Sequence, residues 1–350
     1  MQKILFTGGG SAGHVVPNIA LIEQLLTEGK TDVCYIGTDG IEKTIVAKWN
    51  IPYYTITCPK LIRGGALKGL KENLKIPFSF LRAYRQAKKG LRALQPDVIF
   101  SKGGYVSLPV VYAAKKYKIP CFAHESDLSP GLANKLSARA CKRVFTSFPE
   151  TAKRFKRGLH SGAPIKRGIF AYSKKEARKL LGIDEKAKVV LVFGGGSGSK
   201  TINDAIRQNI KSLTEKYVIL HVCGKGNLVE SKIKNYYQAE FVQDMGKYYA
   251  CADLVVSRAG AGTIFETLAL KKPALFIPLE GQTRGDQVEN AEYFSQKGLC
   301  KVIRQSQIQF LESAIDKAVV DTGLQERLNG VSFPPANDFI LRELKRAIKK

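Results

Sequence analysis

The chain has 350 residues, too many for one ordinary core and suited to two α/β domains, each large enough to bury a core of its own. Lysine and arginine number 56 against 30 acidic residues, a formal charge of +26 that calls for an anionic partner: nucleic acid, an acidic membrane surface or a phosphorylated substrate. The seven cysteines, at 34, 58, 121, 141, 223, 251 and 300, are scattered and form no CxxC or Cys/His cluster, so they read as reduced core residues and exclude a disulfide scaffold or a zinc site.

Met1 runs straight into an apolar stretch, Ile4 to Thr7, which leaves no room for a signal peptide, and no apolar run approaches the length of a membrane span; the expected location is inside the cell. That stretch has the composition of a buried strand. It is followed by GGGSAGH and then by helical spacing at Val16, Ile19, Ala20, Ile22 and Leu26, giving strand, glycine turn, helix. Such a turn lets backbone approach a bulky group and aims helix N-terminal N–H groups at an anion or polarised oxygen; tight strand–helix packing is the alternative. DVCYIG reads as the next strand.

Between Lys60 and Arg92 ten bases face a single acid, Glu72, and are interleaved with Leu61, Leu67, Leu70, Phe78, Phe80, Leu81 and other apolar residues. Basic and large apolar side chains together suit an interfacial membrane element, with a solvated helix packed on its own domain as the other reading. No RNP aromatic pair or zinc-finger spacing supports a nucleic-acid partner.

PDVIFS, IPCFAH and CKRVFTS continue the strands, separated by helical patterns and by the polar segments SKGGYVS (101–107) and HESDLSPGLANK (124–135). SFPETAKRFKRGLHSGAPIKRGIF loses the alternation, and the domain junction is placed near Gly158 to Lys166. This gives a first domain of 1–160, joined by a C-terminal helical stretch, 337–350, and a second of 161–336. The second domain opens with the same device, Val189 to Phe193 followed by GGGSGS and a helical pattern at Ile202, Ala205, Ile206 and Ile210. YVILHVC, ADLVVS and PALFIPL follow, with SRAGAGTIFE and PLEGQTRGDQVENA after the last two. Two doubly wound parallel sheets are expected, with ligands beyond the carboxyl ends of the strands.

The three glycine loops GGGSAGH, SKGGYVS and GGGSGS, with HESDLSPGLANK and the RAG…E and RGDQ elements, resemble the MurG family of bacterial glycosyltransferases, family 28, over nearly the whole chain. The resemblance implies an α/β GT-B fold, two Rossmann-like domains facing across a cleft. It implies inverting transfer of N-acetylglucosamine from UDP-N-acetylglucosamine to the 4-hydroxyl of the muramyl sugar of lipid I, an undecaprenyl-linked acceptor, forming lipid II. No cofactor and no metal in the chemical step are expected, with work at the cytoplasmic face of the cell membrane and peripheral contact with anionic lipid through residues 60–92.

Transfer needs a proton acceptor for the attacking hydroxyl and charge stabilisation for departing UDP. Imidazole suits a base near neutral pH, and the resemblance offers His14, or His124 and Glu125, for that role. It places Gly10, Ser11, Gly13, Gly103, Gly104, Tyr105, Asp127 and Asn134 on the acceptor side. On the donor side it places Lys166, Gly196, Ser197, Asn203 near the phosphates, Arg258, the helix start Ala261, Gly262 and Thr263, Glu266 for the ribose hydroxyls, and Asp286 and Gln287 for the sugar. Three positions depart from the commoner family pattern: Gly196 replaces a serine, and Ala163 and Lys166 stand where an asparagine and an arginine are usual. Lysine lacks arginine's bidentate fork. The first turn also spells GxGxxG, but the dinucleotide reading needs an acid closing the second strand, and DVCYIG ends in Gly37 with Thr38 and Asp39 after it.

Overall fold

A computed structural model describes residues 2–58, 76–281 and 285–348. The chain divides into two compact units, Met1–Lys166 with Pro335–Lys350, and Arg167–Pro334.

The first unit is built on seven strands: β1 (Gln2–Thr7), β2 (Thr31–Gly37), β3 (Tyr53–Thr55), β4 (Val98–Ser101), β5 (Cys121–Glu125), β6 (Arg143–Thr146) and β7 (Gly158–His160). They pair in parallel in the order β3-β2-β1-β4-β5-β6-β7. The second unit has six: β8 (Val189–Phe193), β9 (Val218–Val222), β10 (Tyr236–Ala239), β11 (Leu254–Ser257), β12 (Ala274–Phe276) and β13 (Lys301–Val302), also parallel, in the order β10-β9-β8-β11-β12-β13. Sheets of this kind are covered on both faces, which is why VVLVF is apolar throughout, VIFS is apolar up to its closing Ser101, and both are buried at every position.

In each sheet the winding reverses once. In the first unit the chain moves outward from β1 to β2 and β3, then returns to lay β4 on the other flank of β1; in the second, β9 and β10 lie on one side of β8 and β11 on the other. At such a reversal the loops leaving the two central strands diverge and open a crevice at their carboxyl ends. The four loops concerned are GGGSAGH after β1, KGGY after β4, GGGSGS after β8 and RAG after β11, all singled out in the sequence.

Local chemistry sets the helix ends. Ser199 caps helix Lys200–Gln208 by accepting from Ile202 N–H, Ser173 and Glu176 form a reciprocal capping box for Lys174–Leu181, and Gly29 closes Val16–Glu28 in the left-handed region at φ 65°. Helix Ile76–Leu94 presents small inward residues, Ala83, Ala87 and Gly90, and lies so close that a Cβ on Gly90 would stand 2.7 Å from the Tyr54 ring. Lys60 to Lys75 of the basic, apolar segment fall outside the described residues, as does the arginine of RGDQ.

The terminal helix Asn337–Ile348 belongs to the first unit, where Ile340, Leu341 and Leu344 enter one core with Ile4, Phe6, Ile19 and Ile22. Its entry is fixed by a single buried amide. Asn337 Oδ1 accepts from Ile165 N–H at 3.0 Å, and Nδ2 donates to the carbonyls of Ile165 at 3.0 Å and Ala20 at 3.3 Å. Asn337→Ala strands the Ile165 N–H and C=O away from water, so chemical denaturation should show a loss of about 2 kcal/mol or more. An unchanged midpoint and slope would mean that the helix is held by its apolar face alone.

Candidate functional site

In the first unit the three polar loops interlock. Gly8 and Gly10 adopt positive φ, 151° and 82°, and the turn runs into a short 3-10 turn, Ala12–His14, before helix Val16–Glu28. A Cβ on Gly104 would stand 2.4 Å from the Gly9 carbonyl oxygen and 3.0 Å from His14 Cδ2, so the His14 ring lies against the second loop. A Cβ on Gly10 would meet the Tyr105 ring at 2.5 Å, and one on Gly103 would meet Asn134 Oδ1 at 2.7 Å. His14, Gly103, Gly104, Tyr105 and Asn134, drawn from three separate stretches, thus form one surface.

Its accessible rim is Gly10, Ser11 and Gly13, all exposed, with His14, Tyr105 and Asp127 half-buried. Glu125 and His124 lie beneath. The Glu125 carboxylate accepts from the backbone N–H groups of Asp127 at 3.1 Å and Gly131 at 2.8 Å and from Asn134 Nδ2 at 3.0 Å, so it folds its own loop. His124 is fully buried in β5 with Nε2 3.0 Å from the Gly162 carbonyl. Burial, then the nearby Lys102 charge, pushes its pKa well below the usual imidazole range. Of the three expected proton acceptors, His14 is the one on the accessible rim.

Two buried charges at this site went unnoticed in the sequence. Glu42, fully buried on helix Ile41–Val46, accepts from Thr38 N–H at 2.9 Å, from the Thr38 hydroxyl, and from Gly10 N–H at 3.2 Å. A Cβ on Gly9 would stand 2.5 Å from its carboxyl carbon. The hollow of the first turn is therefore filled by a carboxylate of the protein itself, and the Gly10 N–H is already used. Lys102 is 1% exposed; its ammonium donates to Ser126 Oγ at 2.6 Å, and burial lowers its pKa against the pull of Glu125 and Asp127. It ties the second loop to the HESD loop. Neither stands in a periodic pattern, and Lys102 sits inside a quoted motif whose glycines drew the attention.

In the second unit the corresponding turn is open. Gly195, Gly196 and Ser197 are exposed. Beside them helix Ala261–Ala269 begins after Gly260 with no side-chain cap, and a Cβ on Gly260 or Gly262 would meet nothing within 4 Å. The N–H groups of Ala261, Gly262 and Thr263 thus head an uncapped helix start, an arrangement suited to phosphate oxygens. Glu266, half-buried on the same helix, accepts from Tyr249 O–H through Oε2 at 2.8 Å.

Other expected donor residues are committed to the fold. Arg258 Nη1 donates to the Ile277 and Pro278 carbonyls at 3.2 and 3.3 Å, and burial lowers its pKa. Gln287 Oε1 accepts from Leu279 N–H at 3.0 Å, while Asp286 opens helix Asp286–Gln296. Asn203 is 1% exposed, with its amide bonded to Cys223 O and His221, so it underlies the turn and is out of reach of a phosphate. Lys166 lies in the first unit, where its ammonium pairs with Glu23 at 3.0 Å and sits 5.8 Å from the centre of the Trp49 ring.

Both units match one family of known proteins. Residues 4–146 match the glycosyltransferase family 28 N-terminal domain and residues 189–329 the glycosyltransferase family 28 C-terminal domain. A Clostridium botulinum (strain Langeland) protein named UDP-N-acetylglucosamine–N-acetylmuramyl-(pentapeptide) pyrophosphoryl-undecaprenol N-acetylglucosamine transferase is 44% identical over 316 residues, 88% of each chain. A Clostridium perfringens (strain SM101) protein of the same name is 45% identical over 313 residues, 87% of this chain and 86% of its own. Among solved structures, Acinetobacter baumannii MurG superimposes with a TM-score of 0.76 at 25% identity, covering 99% of this chain and 100% of that one. The chain belongs to glycosyltransferase family 28 and has its GT-B fold of two Rossmann-like domains.

Proposed function

We infer that this chain transfers N-acetylglucosamine from UDP-N-acetylglucosamine to the 4-hydroxyl of the muramyl sugar of lipid I, with inversion, to give lipid II for peptidoglycan. What carries the reading is that both halves match one transferase family whose relatives bear that name, while each half sets its glycine turn at the reversal of its sheet.

The two turns divide the work. The second, open and flanked by the uncapped start of helix Ala261–Ala269, takes the diphosphate of the donor, with Glu266 receiving the ribose hydroxyls and Asp286 facing the sugar. The first, filled by Glu42, serves the acceptor. His14 takes the proton of the 4-hydroxyl as it attacks the anomeric carbon and the bond to UDP breaks. Glu125 and Asn134 act by holding the HESD loop against Gly103, and Lys102 fixes that loop from below. The direct test is incubation with UDP-N-acetylglucosamine and synthetic lipid I, with and without EDTA, following lipid II; no product from a folded, donor-saturated enzyme sinks the reading.

Lipid I is held in the bilayer by its undecaprenyl chain, so the first unit must work at a membrane surface. Among the described residues no helix is long and apolar enough to cross a membrane. Helix Ile76–Leu94 instead turns Phe78, 80% exposed, and Leu81, 44% exposed, outward on the same side as Arg82, Arg85 and Lys89. Basic and apolar groups on one face add headgroup attraction to hydrocarbon burial, which is what peripheral docking on the cytoplasmic leaflet requires.

Two expectations follow for the enzyme. His14→Ala should lower turnover about a hundredfold or more with UDP binding retained, the usual scale for a general base. Glu266→Ala should raise the KM for the UDP-sugar about thirtyfold, equivalent to about 2 kcal/mol of charge-assisted bonding, and leave the KM for acceptor unchanged. Steady-state kinetics and calorimetry check both, and a His14→Ala enzyme of normal turnover would move the base elsewhere.

For the membrane, glutamine at Arg82, Arg85 and Lys89 should cut sedimentation with phosphatidylglycerol vesicles and turnover on membrane-embedded lipid I. Each base contributes roughly 1 kcal/mol near an anionic surface. Turnover on a short-chain, water-soluble acceptor should be spared; equal losses on both acceptors would place the helix in the active site instead.

A further inference from the structure

The second glycine turn stands on a chain of buried hydrogen bonds. Asn203, on the first turn of helix Lys200–Gln208, donates through Nδ2 to the Cys223 carbonyl at 2.8 Å, and its Oδ1 lies 2.9 Å from His221 Nε2. His221, fully buried in β9, has Nδ1 2.9 Å from the hydroxyl of Tyr236 on the neighbouring strand β10, with the two rings stacked at 6.0 Å between centroids.

The ends fix the direction of this chain. A carbonyl only accepts, so the Cys223 end requires the amide nitrogen of Asn203 and turns its oxygen to the imidazole. That oxygen also only accepts, so Nε2 carries the proton and Nδ1 is left to receive the Tyr236 O–H. With neutral imidazole the Tyr236 O–H donates to Nδ1; a second ring proton would instead make the tyrosine oxygen the acceptor and leave the hydroxyl proton to find another partner. Burial, with the charge of Arg207 nearby, accordingly lowers the His221 pKa to about 4.

The carbonyl at the end of the chain is the one on which the turn rests. A Cβ on Gly198 would stand 2.2 Å from Cys223 O, and one on Gly224 would stand 2.7 Å from Ser197 O and from Gly198 Cα. Backbone 197–198 and backbone 223–224 are therefore in direct contact, and the height of the exposed Gly195–Ser197 segment is set by where Cys223 is held. The first unit repeats the plan. Asn18 on helix Val16–Glu28 donates to the Thr7 carbonyl at 3.2 Å and to the Tyr35 hydroxyl at 3.1 Å, and Tyr35 donates to the Gly8 carbonyl at 2.6 Å. In both halves an asparagine on the helix after the turn and a tyrosine join a buried polar network: Tyr35, on the strand beside β1, bonds the turn's own Gly8 carbonyl, whereas Tyr236, on β10, connects through His221 and Asn203 to Cys223.

We propose that Asn203, His221 and Tyr236 are positioning residues for the UDP-sugar, acting together as one directed hydrogen-bond chain that sets the second glycine turn without touching the ligand. This rests on the reading that the second unit binds the donor. Losing any link frees Cys223 to shift, and the turn's N–H groups then meet the diphosphate out of register, which weakens donor binding more than the chemical step.

The test uses the full chain carrying Tyr236→Phe, His221→Phe and both together. Folded fraction is taken from circular dichroism, UDP-N-acetylglucosamine affinity from calorimetry, and kcat and both KM values from steady-state kinetics. Donor Kd should rise about fivefold in Tyr236→Phe and about tenfold or more in His221→Phe, with kcat at saturating donor within about twofold and acceptor KM unchanged. The double variant should match His221→Phe, because the tyrosine acts through the histidine. Should His221→Phe not fold, Tyr236→Phe alone, which removes one oxygen, decides the matter. Variants that bind donor as tightly as wild type, or whose donor and acceptor constants rise together, overturn the relay. If wild type itself binds no UDP-N-acetylglucosamine, the donor assignment falls, and the relay's role in donor binding falls with it.

Discussion

Two places where backbone touches backbone govern the geometry of both candidate sites. Gly104 lies over the Gly9 carbonyl and Gly198 over the Cys223 carbonyl, at separations where a Cβ would stand 2.4 and 2.2 Å from the oxygen. Both residues have positive φ, 78° and 77°, so a side chain is refused by conformation as well as by space. In the first unit this contact brings the loops after β1 and β4 together and sets His14 beside Tyr105. In the second it seats the turn after β8 on the loop after β9. Helices, caps and cores supply stability around these contacts, while the contacts decide where the polar groups stand.

The two turns are built alike, but their hollows are treated differently. In the first unit Glu42 reaches in from helix Ile41–Val46 and takes the Gly10 N–H, so negative charge is already present where an anion would settle. A second anion there would meet Coulomb repulsion at short range in a poorly solvated spot. What remains accessible is the rim, a hydroxyl-scale surface of Ser11, Gly13, His14 and Tyr105. In the second unit Gly195, Gly196 and Ser197 are exposed, and the turn lies at the same sheet reversal as the uncapped start of helix Ala261–Ala269. Two copies of one motif thus differ in whether a carboxylate of the protein occupies the turn or the turn stands exposed.

Much of this was legible in the residues. Strand–turn–helix repeats are local, and buried parallel strands announce themselves as short apolar runs, so the alternation, the two sheets and the loops at their reversals could be read directly. The rim residues His14, Gly10 and Tyr105 were legible for the same reason, lying next to strand ends. Glu42 and Lys102 were not, because their roles depend on burial among distant loops, and a charged residue in a sequence is ordinarily read as exposed. His221 carried a faint signal, a polar ring inside the apolar run YVILHVC, but its partners come from a helix and another strand. Asn203 was assigned to the phosphates because sequence shows nearness to a turn and cannot show which side of it a side chain faces.

The segment holding Ala163 and Lys166, where the family pattern leads one to expect an asparagine and an arginine, makes contacts of its own. Ala163 is buried, and its carbonyl accepts from Ala336 N–H at 2.9 Å; two residues on, Ile165 is gripped through both backbone groups by Asn337. Lys166 then pairs with Glu23 of helix Val16–Glu28 beside Trp49, while Lys345 pairs with Glu28 of the same helix at 2.5 Å. The chain leaving the first unit and the chain returning to it are thus bonded to each other and to the helix that follows the first glycine turn. An alanine, with no polar head to satisfy, fits a buried strap held through its backbone at Ala163 and Ile165. A lysine suffices where the partner is one half-exposed carboxylate and a ring face, because neither requires a planar fork. In this chain 163–166 closes the first unit, tied to the returning chain through Asn337 and Ala336 and to helix Val16–Glu28 through Glu23.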